Sequence, residues 1–261
     1  MRQAAMTVIS IAALIYAGFC LYIYVSQRNA IYYPTAEAHM PEVADIRLES
    51  DGETLKIWRL AHADGPSAII YFGGNAEDVS GNIPEFRNIF PQHNVYLVNY
   101  RGYGGSTGAP TELGLYRDAL AVFDQIGSRY TDISIIGRSL GSGVATYLAT
   151  QREIDRLILV TPYDSIENIA KRAMPILPVS LLLKDKFDSA GRVADIEAPV
   201  LVVTAENDEV ILRRHSDALA EAFPASQITV EEIANTGHNT IGTSPRYAKV
   251  LAIFLAKHSR Q

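Results

Sequence analysis

The pentapeptide GRSLG at positions 137–141 contains Ser139, a serine in a setting where it could act as a nucleophile. It follows the apolar run DISII and precedes LGSGVATYLA, whose small residues suit a helix, so Ser139 falls at a strand-to-helix turn. Crowding at such a turn admits only small residues two positions before and after the serine, as Gly137 and Gly141 are. The pattern predicts a nucleophilic serine; the alternative is a serine in a purely structural turn.

A nucleophilic serine needs a base, because its hydroxyl attacks poorly until its proton is removed. In this topology the base follows the serine along the chain, at the carboxyl end of a later strand. Three histidines follow Ser139: His215 falls in a predicted helix, and His258 lies near the C-terminus. His238, in NTGHNT between the last predicted strand and the last helix, occupies the required loop. We expect His238 to be the base; the alternative is a surface histidine.

The base needs an acid that fixes its tautomer and stabilises its charged form. The strand PVLVVTA is followed at once by Glu206, Asp208 and Glu209. The tight turn after this strand can direct the Asp208 carboxylate across the strand ends towards the histidine loop, so Asp208 is the expected acid. Asp164, after the preceding strand, is the second candidate, although a loop aspartate is more often a turn former or helix cap.

A tetrahedral intermediate requires hydrogen-bond donors for its oxyanion, usually backbone N–H groups. One comes from the residue after the nucleophile, which is Leu140 here. The other comes from the loop after the third strand, where the sequence reads YFGGNAED. Gly73 and Gly74 allow the backbone to approach a substrate closely, and we assign the second donor to Asn75.

The elements that must position these residues are short apolar runs that alternate with helix-length segments. A hairpin signal, Asp51-Gly52, joins the first two runs, and several later runs are apolar throughout, as strands covered on both faces are. The pattern predicts an α/β domain with a mostly parallel central sheet of about eight strands and flanking helices. The runs are ADIRLES, TLKIWRLAHA, SAIIYFGG, NVYLVNYRG, DISIIGRS, DRLILVTP, APVLVVTAEND and SQITVEEIA; the last predicted helix is SPRYAKVLAIFLAKHS.

One interval, about 162–198, is longer than the connections between the other predicted elements. It contains KRAMPILPVSLLLKDKFDSAG, which is rich in proline and leucine. Long excursions of this kind are often lids over a site, so we expect a short lid insertion here. The alternative is an ordinary crossover helix with a loop, whose apolar residues would belong to the core.

The N-terminus predicts a membrane anchor. Residues 4–25 are twenty-two residues without a charge, which as a helix span about 33 Å, enough for the roughly 30 Å hydrocarbon core. A secretory signal is shorter and ends in a small-x-small cleavage site, which favours an uncleaved signal anchor over a cleaved signal peptide or a buried helix. We expect 1–28 to be the anchor and 29–261 the α/β domain.

The positive charges on the two sides of this anchor are almost equal in number. The amino terminus and Arg2 are positive on one side and Arg28 on the other, and we expect the domain on the non-cytoplasmic side of the membrane.

Composition excludes several other kinds of site. The net charge of −6 is spread along the chain without a Lys/Arg block, which argues against nucleic acid as a partner. The single cysteine, Cys20, excludes an internal disulfide and a zinc site of several thiolates. No phosphate-loop pattern, dinucleotide fingerprint or metal-ligand spacing is present, so we expect neither a cofactor nor a metal.

Beyond the anchor, the chain resembles the α/β-hydrolase superfamily, and more narrowly the small membrane-anchored α/β-hydrolase domain-containing serine hydrolases. The motifs are NAIYYP, YFGGNAED, NYRGYGGSTG, GRSLGSGVA, FDSAGRVADIEAPVLVVTAENDEV and GHN. The resemblance implies a triad of Ser139, Asp208 and His238, an oxyanion hole at Asn75 and Leu140, and esterase, thioesterase or lipase-like activity.

Two positions depart from that resemblance. Many relatives have His-Gly where this chain has Gly73-Gly74, and many have Gly where it has Ala205. The expected function is hydrolysis of carboxylic esters or thioesters, with lipid-like acyl substrates favoured by the anchor and the apolar lid. The alternatives are a peptidase or amidase on the same fold and a non-catalytic, membrane-anchored binding domain.

Overall fold

The computed structural model describes residues 1–62 and 65–256 and contains one central sheet of eight strands. The strands are β1 (Asp45–Ser50), β2 (Glu53–Leu60), β3 (Ser67–Phe72), β4 (Asn94–Val98), β5 (Asp132–Arg138), β6 (Arg156–Val160), β7 (Val200–Ala205) and β8 (Ile228–Ile233). Their order across the sheet is β1-β2-β4-β3-β5-β6-β7-β8. Each strand falls on one of the eight runs expected from the sequence.

Eight α-helices accompany the sheet in the described residues. They are α1 (Arg2–Ile31), α2 (Ile83–Ile89), α3 (Glu112–Gly127), α4 (Leu140–Gln151), α5 (Ile166–Ala173), α6 (Val179–Leu182), α7 (Arg213–Ala222) and α8 (Pro245–Ala256). The predicted continuation of α8 to residue 259, His258 and the last residue of the second predicted strand, Ala63, lie outside the described residues.

The sheet is mostly parallel, as the sequence predicts. The pairs β1–β2 and β2–β4 are antiparallel, whereas the pairs β4–β3, β3–β5, β5–β6, β6–β7 and β7–β8 are parallel. At the hairpin, Asp51 and Gly52 both have positive φ (50° and 80°), the combination that a tight two-residue turn between antiparallel strands requires. This turn sets the register in which Ser50 faces Glu53.

The core lies on both faces of the sheet, because successive strand residues point to opposite sides. Ile69 and Ile70 illustrate this: both are fully buried, yet they belong to separate apolar clusters. The first cluster packs α3 and α4 against one face, and the second packs α2 and α8 against the other. Strands buried on both faces explain why the middle runs of the sequence are apolar without alternation.

Helix α1 is a single 30-residue helix that continues three residues beyond the expected boundary at 28. It is long and apolar enough to cross a membrane, and none of its most apolar window is buried against the rest of the protein. Its last turns contact the domain, where Gln27 is buried and Arg28 pairs with Asp185 at 2.8 Å, and further back Tyr16 and Cys20 contact the interval 162–198. The helix end is therefore fixed to the domain by polar contacts as well as apolar ones.

The interval 162–198 folds into α5, α6 and a 3₁₀ turn at Ala190–Asp195. Its apolar residues Ala170, Leu177 and Val179 form a small cluster with Cys20 and Ile23 of α1. Part of this interval thus packs against the N-terminal helix and is not absorbed into the cores on the sheet.

Candidate active site

Ser139 lies between β5 and α4 in a conformation that few residues other than glycine adopt, with φ 49° and ψ −115°. Its neighbours explain the glycines around it. A Cβ on Gly141 would collide with the backbone carbonyl of Phe72, and one on Gly137 would collide with the carbonyl of Gly141. The turn can hold Ser139 in this strained position only because the residues two before and two after it have no side chain.

Ser139, His238 and Asp208 form one chain of hydrogen bonds. His238 Nε2 lies 2.9 Å from Ser139 Oγ, and His238 Nδ1 lies 2.8 Å from Asp208 Oδ2. The three residues come from separate loops at the carboxyl end of the sheet, since they follow β5, β8 and β7. Ser139 and His238 are only 8% and 5% exposed, so these hydrogen bonds lie away from bulk water.

Asp208 is held in place by its own loop. Its Oδ1 accepts hydrogen bonds from the backbone N–H groups of Val210 and Ile211, at 3.0 and 2.8 Å. The second candidate acid, Asp164, lies elsewhere: its Oδ1 is 2.8 Å from Nδ1 of the buried His215. Asp164 therefore belongs to a separate His–Asp pair, and the carboxylate beside His238 is that of Asp208.

The two expected oxyanion donors lie on either side of Ser139. Leu140 is the first residue of α4, where a backbone N–H has no partner within its helix. In the loop after β3, Gly74 donates its N–H to Glu77 Oε2 at 2.5 Å, whereas the N–H groups of Asn75 and Leu140 have no acceptor within 1–62 and 65–256. A Cβ built on Gly74 would lie 3.6 Å from Cβ of Ser139, which places this loop directly against the serine.

The Asn75 side chain has a role that the sequence did not indicate. Its Nδ2 donates to the carbonyl of Ile31 at 2.7 Å, and its Oδ1 accepts from the N–H of Tyr33 and the hydroxyl of Tyr103. Ile31 is the last residue of α1. The loop that carries the Asn75 N–H is thus tied to the end of the N-terminal helix.

Arg138, next to the serine, links two of the loops around it. Its Nη1 lies 3.1 Å from Glu77 Oε2, and its Nη2 donates to the backbone carbonyl of His238 at 3.2 Å. Burial by itself would lower the pKa of the Arg138 guanidinium, but the Glu77 carboxylate and nearby tyrosine hydroxyls more than offset it. The pKa of Arg138 is raised, and the side chain stays charged.

Glu77 is the centre of this network. Besides Gly74 and Arg138, it accepts hydrogen bonds from the Tyr71 hydroxyl and from Asn82 Nδ2, each at 2.6 Å. Neither Glu77 nor Arg138 was identified from the sequence as a site residue. The sequence showed only that an arginine lies inside the serine turn. The direction of its side chain depends on contacts with loops that are distant along the chain.

The described residues include no group of three or more His, Cys, Asp or Glu side chains arranged to hold a metal ion. The chemistry available to this arrangement is that of a hydroxyl, an imidazole, a carboxylate and two free backbone N–H groups.

Comparison with known proteins agrees with this fold. Residues 68–181 match the family model described as alpha/beta hydrolase fold. The Pyrococcus furiosus esterase Pf2001 superposes with a TM-score of 0.67 over 86% of this chain and 97% of its own, at 19% identity.

Two relatives are similar along the sequence itself. An uncharacterized protein of Mycobacterium tuberculosis is 34% identical over 254 residues, which cover 91% of this chain and 89% of its own. The lysophosphatidylserine lipase ABHD12 of Macaca fascicularis is 31% identical over 233 residues, covering 76% of this chain and 58% of the lipase. With the fold, the family model and these relatives in agreement, the chain belongs to the α/β-hydrolase superfamily.

Proposed function

We propose that this protein is a membrane-anchored serine hydrolase that cleaves carboxylic esters or thioesters through a Ser139–His238–Asp208 triad. The observation that carries the proposal is the continuous hydrogen-bond chain from Asp208 through His238 to Ser139, 2.8 and 2.9 Å long. Such a chain lowers the cost of removing the serine proton and stabilises the imidazolium that results. Membership of a hydrolase superfamily supports the same reaction class.

In the acylation half-reaction, His238 Nε2 takes the proton of Ser139 as Oγ attacks the substrate carbonyl carbon. The carbonyl oxygen becomes an oxyanion, which accepts hydrogen bonds from the N–H groups of Leu140 and Asn75. The imidazolium then gives its proton to the leaving alcohol or thiol as the bond to the acyl carbon breaks. An acyl ester on Ser139 remains.

In the deacylation half-reaction, a water takes the place of the leaving group. His238 removes a proton from the water, whose oxygen attacks the acyl carbon, and the same two N–H groups stabilise the second oxyanion. Collapse of this intermediate returns the proton to Ser139 and releases the carboxylic acid. Asp208 holds the imidazole in the required tautomer in both halves.

The anchor and the substrate class rest on separate observations. Helix α1 has the length and composition of a membrane-crossing helix, and we propose that residues 4–25 lie in the bilayer with residues 29–261 outside the cytoplasm. A C-terminal alkaline phosphatase fusion tests this orientation, because the enzyme is active only outside the cytoplasm. The likeness to a lysophosphatidylserine lipase supports lipid-like acyl esters as substrates.

A fluorophosphonate probe tests the proposed function directly, because it reacts only with an activated serine. We expect labelling of the full-length protein in detergent and none of Ser139→Ala. Ser142→Ala is the matched control, since Ser142 lies three residues away and its hydroxyl donates to the Ser139 carbonyl. Folded wild-type protein that does not react would contradict a catalytic serine and favour a binding domain.

Substrate assays separate ester hydrolysis from amide hydrolysis. Thioesters and p-nitrophenyl esters are expected to be cleaved with a higher kcat/KM than aminoacyl p-nitroanilides of the same acyl group. A preference for the amides would instead indicate a peptidase or amidase on the same fold.

A further inference from the structure

An apolar cavity of about 280 Å³ lies between the end of α1 and the interval 162–198. One wall is α1 from Ile23 to Ile31, a second is α5, and a third is the segment from Met174 to Leu183. Its volume is close to the lower end of the roughly 300–1,000 Å³ range of small-molecule pockets. The cavity is therefore large enough for part of a ligand.

The polar side chains that line the cavity already form hydrogen bonds with other groups of the protein. Ser26 Oγ donates to the carbonyl of Tyr22 at 2.7 Å. Gln27 Nε2 donates to the carbonyls of Tyr24 and Leu182, and its Oε1 accepts from the N–H of Lys184. What remains for a ligand is contact with aliphatic side chains, which favours an apolar occupant over a polar one.

The cavity begins beside the end of the uncharged part of α1, at Ile23. Tyr16, in the middle of that part, donates a hydrogen bond of 2.7 Å to the carbonyl of Ile176 at the tip of the neighbouring interval. Ile176 and Leu181 are 75% and 82% exposed. If α1 crosses the bilayer, this tip enters the apolar layer with it, and the cavity behind the tip faces the acyl chains of lipids.

Charged residues lie at the end of the cavity away from this tip, and they indicate where the protein meets water. Lys184 Nζ lies 3.9 Å above the ring of Tyr24, and Arg28 pairs with Asp185. Aromatic rings and long cationic side chains are typical of the membrane–water boundary. The cavity therefore spans the level at which an acyl chain leaves the bilayer for the domain.

One wall of the cavity is linked to the loop that lies against Ser139. Ile31 lines the cavity, and its carbonyl accepts the hydrogen bond from Asn75 Nδ2. Asn75 follows Gly74, the residue whose loop lies against Ser139. A hydrogen bond thus holds the cavity wall against the loop that carries the proposed oxyanion donor Asn75.

We propose that this cavity binds the acyl chain of the substrate, so that the N-terminal helix is part of the substrate site as well as an anchor. The proposal rests on the proposed hydrolase function. It defines the substrate class as esters or thioesters of medium or long acyl chains that are drawn from a membrane.

Filling the cavity tests this proposal. Ala30 and Ala173 lie on opposite walls and are exposed, so Ala30→Phe and Ala173→Phe place a ring in the cavity without displacing the core. Ala218→Phe, at an exposed position of α7, is the matched control. The readout is the ratio of kcat/KM for p-nitrophenyl palmitate to that for p-nitrophenyl acetate, measured with full-length protein in nanodiscs.

We expect both cavity variants to lower this ratio at least ~10-fold, since each methylene kept out of the cavity loses its burial energy. The control should leave the ratio within about twofold of the wild-type value, as surface changes usually do. An unchanged ratio in both cavity variants would overturn the proposal. So would a drop for both esters alike, because it would show general damage and not loss of a chain site.

A binding measurement separates this proposal from the proposed function. Ser139→Ala protein cannot turn over, and we expect it to bind cis-parinaric acid, a fluorescent long-chain fatty acid, with binding weakened by Ala30→Phe. If the wild type also hydrolyses no ester of any length and does not react with fluorophosphonate, the hydrolase function fails on its own. Weakened fatty-acid binding with an unchanged palmitate-to-acetate ratio would assign the cavity to a resident lipid tail and overturn the substrate role.

Discussion

Arg138 Nη2 donates a hydrogen bond of 3.2 Å to the backbone carbonyl of His238, one hundred positions further along the chain. The same guanidinium pairs with Glu77, which in turn accepts the N–H of Gly74. One side chain therefore connects the serine turn, the histidine loop and the loop that carries the proposed oxyanion donor Asn75. We interpret Arg138 and Glu77 as positioning residues, because they act on the reacting groups through other residues.

Removing this link should lower kcat more than it raises KM. Arg138→Met keeps the length of the side chain but leaves the Glu77 carboxylate without its cation, and both loops lose a fixed neighbour. We expect kcat for p-nitrophenyl butyrate to fall about 10- to 100-fold, the effect of small misplacements of catalytic groups. Steady-state kinetics measure both constants.

Two further variants control this prediction. Arg138→Lys should recover little of the loss, because an ammonium cannot form the two separate contacts of the guanidinium. Arg117→Met removes an exposed arginine that pairs with Asp51 on the surface, and it should leave kcat nearly unchanged. A rise in KM at constant kcat in Arg138→Met would instead indicate a substrate contact.

The two buried His–Asp pairs allow a direct test of which acid serves the proposed triad. Asp208→Asn should lower kcat by about 10⁴-fold at neutral pH, because an amide no longer fixes the required tautomer of His238. Asp164→Asn disturbs the pair with His215 and should lower kcat by less than about tenfold, mainly through stability. Thermal unfolding of both variants separates loss of fold from loss of activity. The reverse order of the two effects would assign the acid to Asp164.

The close packing at the serine turn makes Gly141 sensitive to a single methyl group. In Gly141→Ala the new Cβ would meet the backbone carbonyl of Phe72, which cannot move without shifting β3. We expect the free energy of unfolding to fall by about 1–3 kcal/mol, as overpacking of a close contact does. Gly81→Ala is the control, because a Cβ at Gly81 meets nothing within 4 Å, and its change should stay within about 0.5 kcal/mol. Urea titration compares the two.

The lowered pKa of Glu167 predicts that its contacts stabilise the interval 162–198 in a pH-dependent way. Hydrogen bonds from Lys171, then from Ser180 and Lys186, lower the pKa of Glu167 from 4.5 to about 2. Because the folded pKa is below the unfolded one, the contact contributes its full stability above about pH 4.5. That contribution is lost as the pH falls through 2.

Amide exchange of residues 166–183 measures this contribution. Wild-type protein should be better protected than Glu167→Gln at pH 6, and the difference should shrink as the pH approaches 2. Glu221→Gln, on the exposed face of α7, is the control and should match wild type throughout. Equal protection of Glu167→Gln and wild type at pH 6 would show that the carboxylate does not hold this segment.

Much of the fold could be predicted because its signals are local. Strands covered on both faces give unbroken apolar runs, and this located β3 to β7; the Asp51-Gly52 turn located the antiparallel edge. Ser139, Asp208 and His238 could be named for a related reason. Parallel strands bring the loops at their carboxyl ends to one edge, so the order of the loops along the chain predicts which side chains can meet.

By itself, the sequence thus determined the α/β-hydrolase fold, the apolar N-terminal helix and the candidate residues for each chemical role. Only the tertiary structure placed Asp208 beside His238 and Asp164 beside His215, directed Arg138 towards Glu77, and tied Asn75 to the end of α1. The physical reason is distance along the chain. These contacts join residues 30 to 100 positions apart, and the direction of a side chain at such a contact depends on packing that no local pattern encodes.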